Sequence, residues 1–75
     1  MGNADAAPQV LTARELEVVV LVAEGCTDAE IAAELRITVR TVRAHVAAAR
    51  GKLAARSRTH LAVQALRFGL IPLDP

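Results

Sequence analysis

Cysteine is almost missing from this chain. Cys26 is the single one among 75 residues, so no disulfide can close within it, and no Cys/His group has the spacing of a zinc site. Aromatic residues are as scarce, with one phenylalanine and neither tryptophan nor tyrosine. A chain this short stands near the lower limit at which one apolar core holds a fold unaided, and here that core must come from Leu, Val, Ile and many alanines. No apolar run approaches the roughly 20 residues that cross a bilayer. The first ten residues lack the basic start and apolar middle of a signal peptide. These absences lead to the expectation of a soluble cytoplasmic protein with no membrane and no metal. An enzyme is the least expected class, because His45 and His60 have no nucleophile at a suggestive spacing, no glycine-rich phosphate loop exists, and most of the hydroxyl residues sit at expected helix caps. No cofactor is expected.

Negative charge is missing from one long stretch. No carboxylate occurs between Glu34 and Asp74, although the formal net charge of the whole chain is only +1. Residues 1–35 carry Asp5, Glu15, Glu17, Glu24, Asp28, Glu30 and Glu34 against Arg14, a net of −6. Residues 36–75 carry Arg36, Arg40, Arg43, Arg50, Lys52, Arg56, Arg58 and Arg67 against Asp74, a net of +7. Two readings fit this separation: a surface that meets a polyanion, or ion pairs between helices that consume the same charges internally.

Residues 1–9, "MGNADAAPQ", have no apolar period and read as a linker, with the domain expected over residues 10–72. From Thr12 the pattern turns helical. Thr12 with Glu15 has capping-box spacing, Leu16, Val19, Val20 and Ala23 recur at helical intervals, and Gly25 supplies a stop, giving a first helix over about 13–24. Thr27 and Glu30 repeat the box and open a short second helix with Ile31, Ala32 and Leu35 inward. Thr38 is a third N-cap. The brief connection before it forces two helices to cross steeply, as in a helix-turn-helix.

The third helix is expected over about 39–54. Val39, Val42, Val46, Ala49 and Leu53 share its inner face, while Arg40, Ala44, Ala47, Ala48 and Gly51 point the opposite way. Arg43 and Arg50 flank the outer face on one side, Thr41 and His45 on the other. An ordinary solvated face mixes Glu with Lys, whereas this one is basic at its edges and small at its centre. Such a strip lets a backbone sit deep in the B-DNA major groove, about 12 Å wide. Helix propensity alone is the competing reason for the alanines. A fourth helix begins near Ser57 or Arg58 and ends near Gly69. Its stripes, Leu61, Ala65 and Phe68 beside Ala62, Leu66 and Leu70, exceed what one small core requires, so either the core wraps the helix deeply or part of it meets another subunit.

Residues 11–71 resemble the LuxR-type helix-turn-helix domain of the NarL/FixJ group of bacterial response regulators. The resemblance rests on "LTARELEVV" in the first helix, "AEGCTDAEIAAEL" through the first turn and second helix, "TVRAHV" in the third, and "KLAARSRT" leading into the fourth. Ordered blocks at fitting intervals are far more specific than a lone motif. The resemblance implies an all-α, four-helix domain that binds double-stranded DNA sequence-specifically, with the third helix in the major groove and the fourth mediating a homodimer on DNA. Base contacts would come from Arg43, Ala44 and Ala47. Backbone contacts would fall to Thr38, Arg40, Thr41 and Lys52, with the flanking Arg50 counted beside them. The broad apolar arc of the fourth helix, rather than the resemblance, points to Leu61, Gln64, Ala65 and Phe68 as the dimer surface. An N-terminal receiver or sensor domain and RNA polymerase are the further implied partners.

This sequence also departs from the family pattern. Ala47 stands where many members carry a polar or basic group, Ala49 where a larger apolar residue is usual, and Ala54 where glycine is usual. Gly51 inside a helix costs roughly 1 kcal/mol relative to alanine. A lightly packed module whose base readout depends on Arg43 is the expectation. A guanine contact and a phosphate contact are the two roles open to that arginine. Two other functions compete with the main one: a sigma-factor region-four-like promoter binder, and a basic protein-interaction module.

Overall fold

The computed structural model describes residues 11–72, so the expected leading linker lies outside the described residues. Every regular element there is a helix: α1 Ala13–Ala23, α2 Asp28–Leu35, α3 Val39–Lys52 and α4 Arg58–Arg67. Each starts where a hydroxyl side chain takes up an unpaired N–H of the first turn. Thr12 and Thr27 form full capping boxes with Glu15 and Glu30. Thr38 accepts from the Thr41 N–H, and Ser57 from the His60 N–H.

All four helices stop in the same way. A residue with positive φ follows the last turn, at Gly25 (91°), Arg36 (60°), Ala54 (54°) and Gly69 (71°). The next N–H then reaches back to a carbonyl of the last turn: Cys26 to Leu21 (3.0 Å), Ile37 to Ala32 (3.0 Å), Ala55 to Arg50 (2.9 Å) and Leu70 to Ala65 (2.9 Å). This is Schellman closure, which favours glycine because a Cβ is strained in the left-handed region. Two of the four positions carry a side chain regardless. The Ala54 stop also explains why α3 ends at Lys52, two residues short of the sequence expectation.

Core packing centres on α3, against which α1, α2 and α4 all lie. Val42, Val46, Ala49 and Leu53 fill its inner face, with Val39 half-buried at its start. They meet Val18, Val19 and Val22 of α1, Ile31 and Ala32 of α2, Leu61 and Ala65 of α4, and Ile71 beyond it. The buried face of α1 differs from the expected one. Val18 and Val22 are inside with Glu15, whereas Leu16 and Val20 are half-buried and Ala23 is exposed. In "EVVVLVA" the consecutive apolar residues satisfy several helical faces at once. The polar Glu15, buried through its cap and an ion pair, conceals the true one.

One face of α4 is drawn deeply into the core. Leu61 and Ala65 are fully buried, and Gln64 is buried with its Nε2 donating to the Leu53 carbonyl at 2.9 Å. That bond ties the end of α3 to α4 and satisfies one of its last carbonyls. Three of the four residues expected to form a dimer surface are thus used internally. The exposed apolar side chains of this region are Val63, Leu66 and Phe68.

Replacing Ala54 by glycine removes strain and should raise the denaturant midpoint, equivalent to about 0.5–1 kcal/mol. An equal loss of stability would show that φ at Ala54 is not strained. Leu61→Ala should cost about 2–5 kcal/mol with the fold retained at low temperature.

Candidate nucleic-acid interface

Residues 36–38 join α2 to α3, which completes the helix-turn-helix. The outer side of α3 carries Arg40, Arg43, Ala44, Ala47, Ala48 and Gly51, all exposed. No atom lies within 4 Å of a Cβ built on Gly51, so this strip is open as well as flat. Thr38 and Thr41 stand together at the start of the helix, their hydroxyls 2.9 Å apart, with the Thr41 N–H on Thr38 Oγ1 at 3.1 Å. Thr41 and His45 are half-buried along one edge.

The cations around this face fall into two groups. Lys52 is engaged: its Nζ lies 2.7 Å from Glu15 Oε1, and Glu15 Oε1 also accepts from the Thr12 N–H at 3.0 Å. Arg58 is engaged twice, by Asp28 Oδ1 at 2.6 Å and by the Cys26 carbonyl at 2.8 Å. Arg50 turns back over the end of α3, its Nη2 donating to the Arg56 carbonyl at 2.7 Å while its buried Nε has no partner among the described residues. Arg43 is held loosely, with Nε 3.4 Å from Asp28 Oδ2 and its side chain 73 % exposed. Arg36 and Arg40 are exposed and have no carboxylate partner among the described residues.

The ion-pair reading of the charge separation therefore holds for part of the charges, and other cations stay exposed. The acidic half contributes Glu15 and Asp28 to ion pairs that join elements distant in sequence. The sequence raised ion pairs between helices as a general option without settling the partner of Glu15. The Asp28 cluster was not visible there, because nothing in the sequence announces an ion pair between the start of α2 and the residue opening α4. Arg40 and Arg43 of α3 and Arg36 of the turn before it are exposed. Cys26, half-buried between α1 and α2, has its thiol pushed up by burial and then by Glu30, Glu24 and Glu34. Among the described residues no group of His, Cys, Asp and Glu could hold a metal ion, and no helix is long and apolar enough to cross a membrane.

Glu15 and Asp28 contribute to the acid sensitivity of this arrangement. The hydrogen bond from Lys52, then that from the Thr12 backbone, holds the Glu15 carboxyl below its usual range. The Arg58 hydrogen bond does the same for Asp28, with Arg43 adding to it. The folded chain therefore binds fewer protons than the unfolded one in mildly acidic solution. The stabilisation is complete above the unfolded carboxylate pKa and is lost as pH falls through it toward the folded value. Unfolding free energies measured against pH should decline less steeply on the acid side for Glu15→Gln than for the unaltered chain. Parallel declines would remove Glu15 from this role.

The geometry agrees with what the comparisons with known proteins find. The profile described as "Bacterial regulatory proteins, luxR family" matches residues 9–65. The transcriptional regulatory protein LiaR of Bacillus subtilis (strain 168) is 48% identical over 61 residues, which covers 81% of this chain and 29% of LiaR. The response regulator protein VraR of Staphylococcus aureus (strain NCTC 8325 / PS 47) is 38% identical over 63 residues, covering 84% of this chain and 30% of VraR. Among solved structures, the response regulator ChrA of a heme-sensing two-component system superposes with a TM-score of 0.81 at 31% identity, over 91% of this chain and 34% of ChrA. The chain thus spans about a third or less of the length of these relatives. With four helices, the short turn before α3 and this profile, the sigma-factor and protein-interaction alternatives give way: the chain belongs to the luxR family of bacterial regulatory proteins, as a helix-turn-helix DNA-binding domain.

Proposed function

We propose that the chain binds double-stranded DNA sequence-specifically by laying the outer face of α3 in the major groove, as the output domain of a longer, cytoplasmic, non-catalytic response regulator. The observation that carries this reading is the face itself. Its centre is alanine and glycine, its exposed charges are all positive, and Val42, Val46, Ala49 and Leu53 of the opposite face are locked in the core. In this reading Arg43, Ala44 and Ala47 meet base edges, Arg43 through its guanidinium and the two alanines by apolar contact such as a thymine methyl. Thr38, Arg40, Thr41, Arg50 and Lys52 meet the backbone, fixing register without reading sequence. Arg40 is ready for that role as it stands. Arg50 must leave the Arg56 carbonyl, and Lys52 must share its ammonium between Glu15 and a phosphate. A receiver domain on the N-terminal side and RNA polymerase are the partners that suit such a unit.

Dimerisation on DNA is proposed through the exposed apolar edge of α4, Val63 and Leu66, together with Phe68 just beyond it. A twofold contact places the same patch on both protomers and matches two half-sites.

Affinity for duplex should fall steeply with salt, with a log–log slope of about −2 to −3 per protomer if Arg40, Arg50 and Lys52 each neutralise a phosphate. A flat salt dependence contradicts the reading. Arg43→Ala should relax preference at one base pair by about 1–3 kcal/mol, whereas Arg40→Ala should weaken selected and random duplexes alike. Sedimentation on a duplex with two half-sites should show paired occupancy that Phe68→Ser abolishes, leaving single-site affinity in place. Independent occupancy by the unaltered chain rules out the dimer.

A further inference from the structure

Asp28 is the first residue of α2, where a carboxylate suits the helix dipole, and that role alone would explain its presence. Its contacts go further. One oxygen is fixed by Arg58 Nη1 at 2.6 Å, and Arg58 is itself fixed by its second nitrogen on the Cys26 carbonyl at 2.8 Å. The other oxygen faces Arg43 Nε at 3.4 Å. The Asp28 side chain is 25 % exposed and that of Arg43 73 %, so a well-anchored group holds out one oxygen to a loosely held one. Because the contact is to Nε, Arg43 Nη1 and Nη2 have no partner among the described residues. They form the end-on pair of donors that matches guanine O6 and N7.

We propose that Asp28 is a positioning residue for base readout, a carboxylate braced by Arg58 that turns the fork of Arg43 outward from α3. The inference rests on the DNA-reading role given to Arg43 above. It predicts a combination of effects that simple electrostatics does not. A carboxylate beside a phosphate-lined groove repels DNA, so removing its charge tightens binding to every sequence equally. Removing a positioning group instead widens the set of directions Arg43 samples, and the loss appears only in discrimination.

The test uses the whole chain and duplexes that the unaltered chain selects from a random pool, each compared with a scrambled duplex. Asp28→Asn should bind scrambled duplex as well as or better than the unaltered chain. Its discrimination should fall about fivefold, concentrated at the base pair that Arg43→Ala relaxes. In the Arg43→Ala background Asp28→Asn should change discrimination no further. Arg58→Gln, which keeps the carboxylate and removes its brace, should reduce preference at the same base pair. The Arg43 Nε–H resonance of the free protein should move in Asp28→Asn, a readout independent of DNA. If Asp28→Asn tightens both duplexes equally and discrimination stays intact, Asp28 only repels and the proposal is overturned. An additional loss in the Arg43→Ala background overturns it too. If Arg43→Ala itself leaves base preference untouched, the reading of Arg43 fails first and the proposal falls with it.

Discussion

Everything in this domain depends on one helix having two incompatible faces. The inner side of α3, Val42, Val46, Ala49 and Leu53, is the wall against which the other three helices pack. With no disulfide, no metal cluster among the described residues and no aromatic side chain in the core, this shared wall is what holds short helices together that are marginal alone. Its burial fixes the rotation of α3 about its axis. The rotation in turn decides that Arg40, Arg43, Ala44 and Ala47 face outward together, on a rigid element rather than a loop.

The ends of the helices matter as much as their faces. Four hydroxyl caps and four left-handed stops place each element within a residue or two, and short connections leave little freedom between them. Ala49 and Ala54 are two positions where the packing and the turn at the end of α3 carry some cost. The first leaves a small side chain at a fully buried position, and the second accepts a strained turn where α3 must end. Gln64 offsets part of this by bonding the Leu53 carbonyl, which joins the strained corner to α4.

Much of this could be read from the sequence, and what could not has a common cause. Capping boxes are local, so Thr12–Glu15, Thr27–Glu30 and the Thr38 cap were visible from spacing alone. The α3 faces were visible because Val, Ala and Arg alternate there with a clear helical period. The α1 face was obscured by an unbroken apolar run. The depth of α4 was obscured because Gln64 is polar and Phe68 is large, yet the first is inside and the second outside. Charge separation was plain, but its partition was not. Which cations stay outward depends on Glu15 meeting Lys52 and Asp28 meeting Arg58, contacts that exist only once the fold has brought distant segments together.

The central claim is that the exposed side of α3 is the surface that meets duplex DNA. Amide NMR spectra recorded at low ionic strength, before and after addition of duplex, test it most directly. The account predicts that shifts concentrate on residues 38–51, strongest near Arg43 and Ala44, while the buried face follows only weakly. Unmoved α3 resonances in the presence of saturating duplex, or shifts confined to another helix, would contradict it.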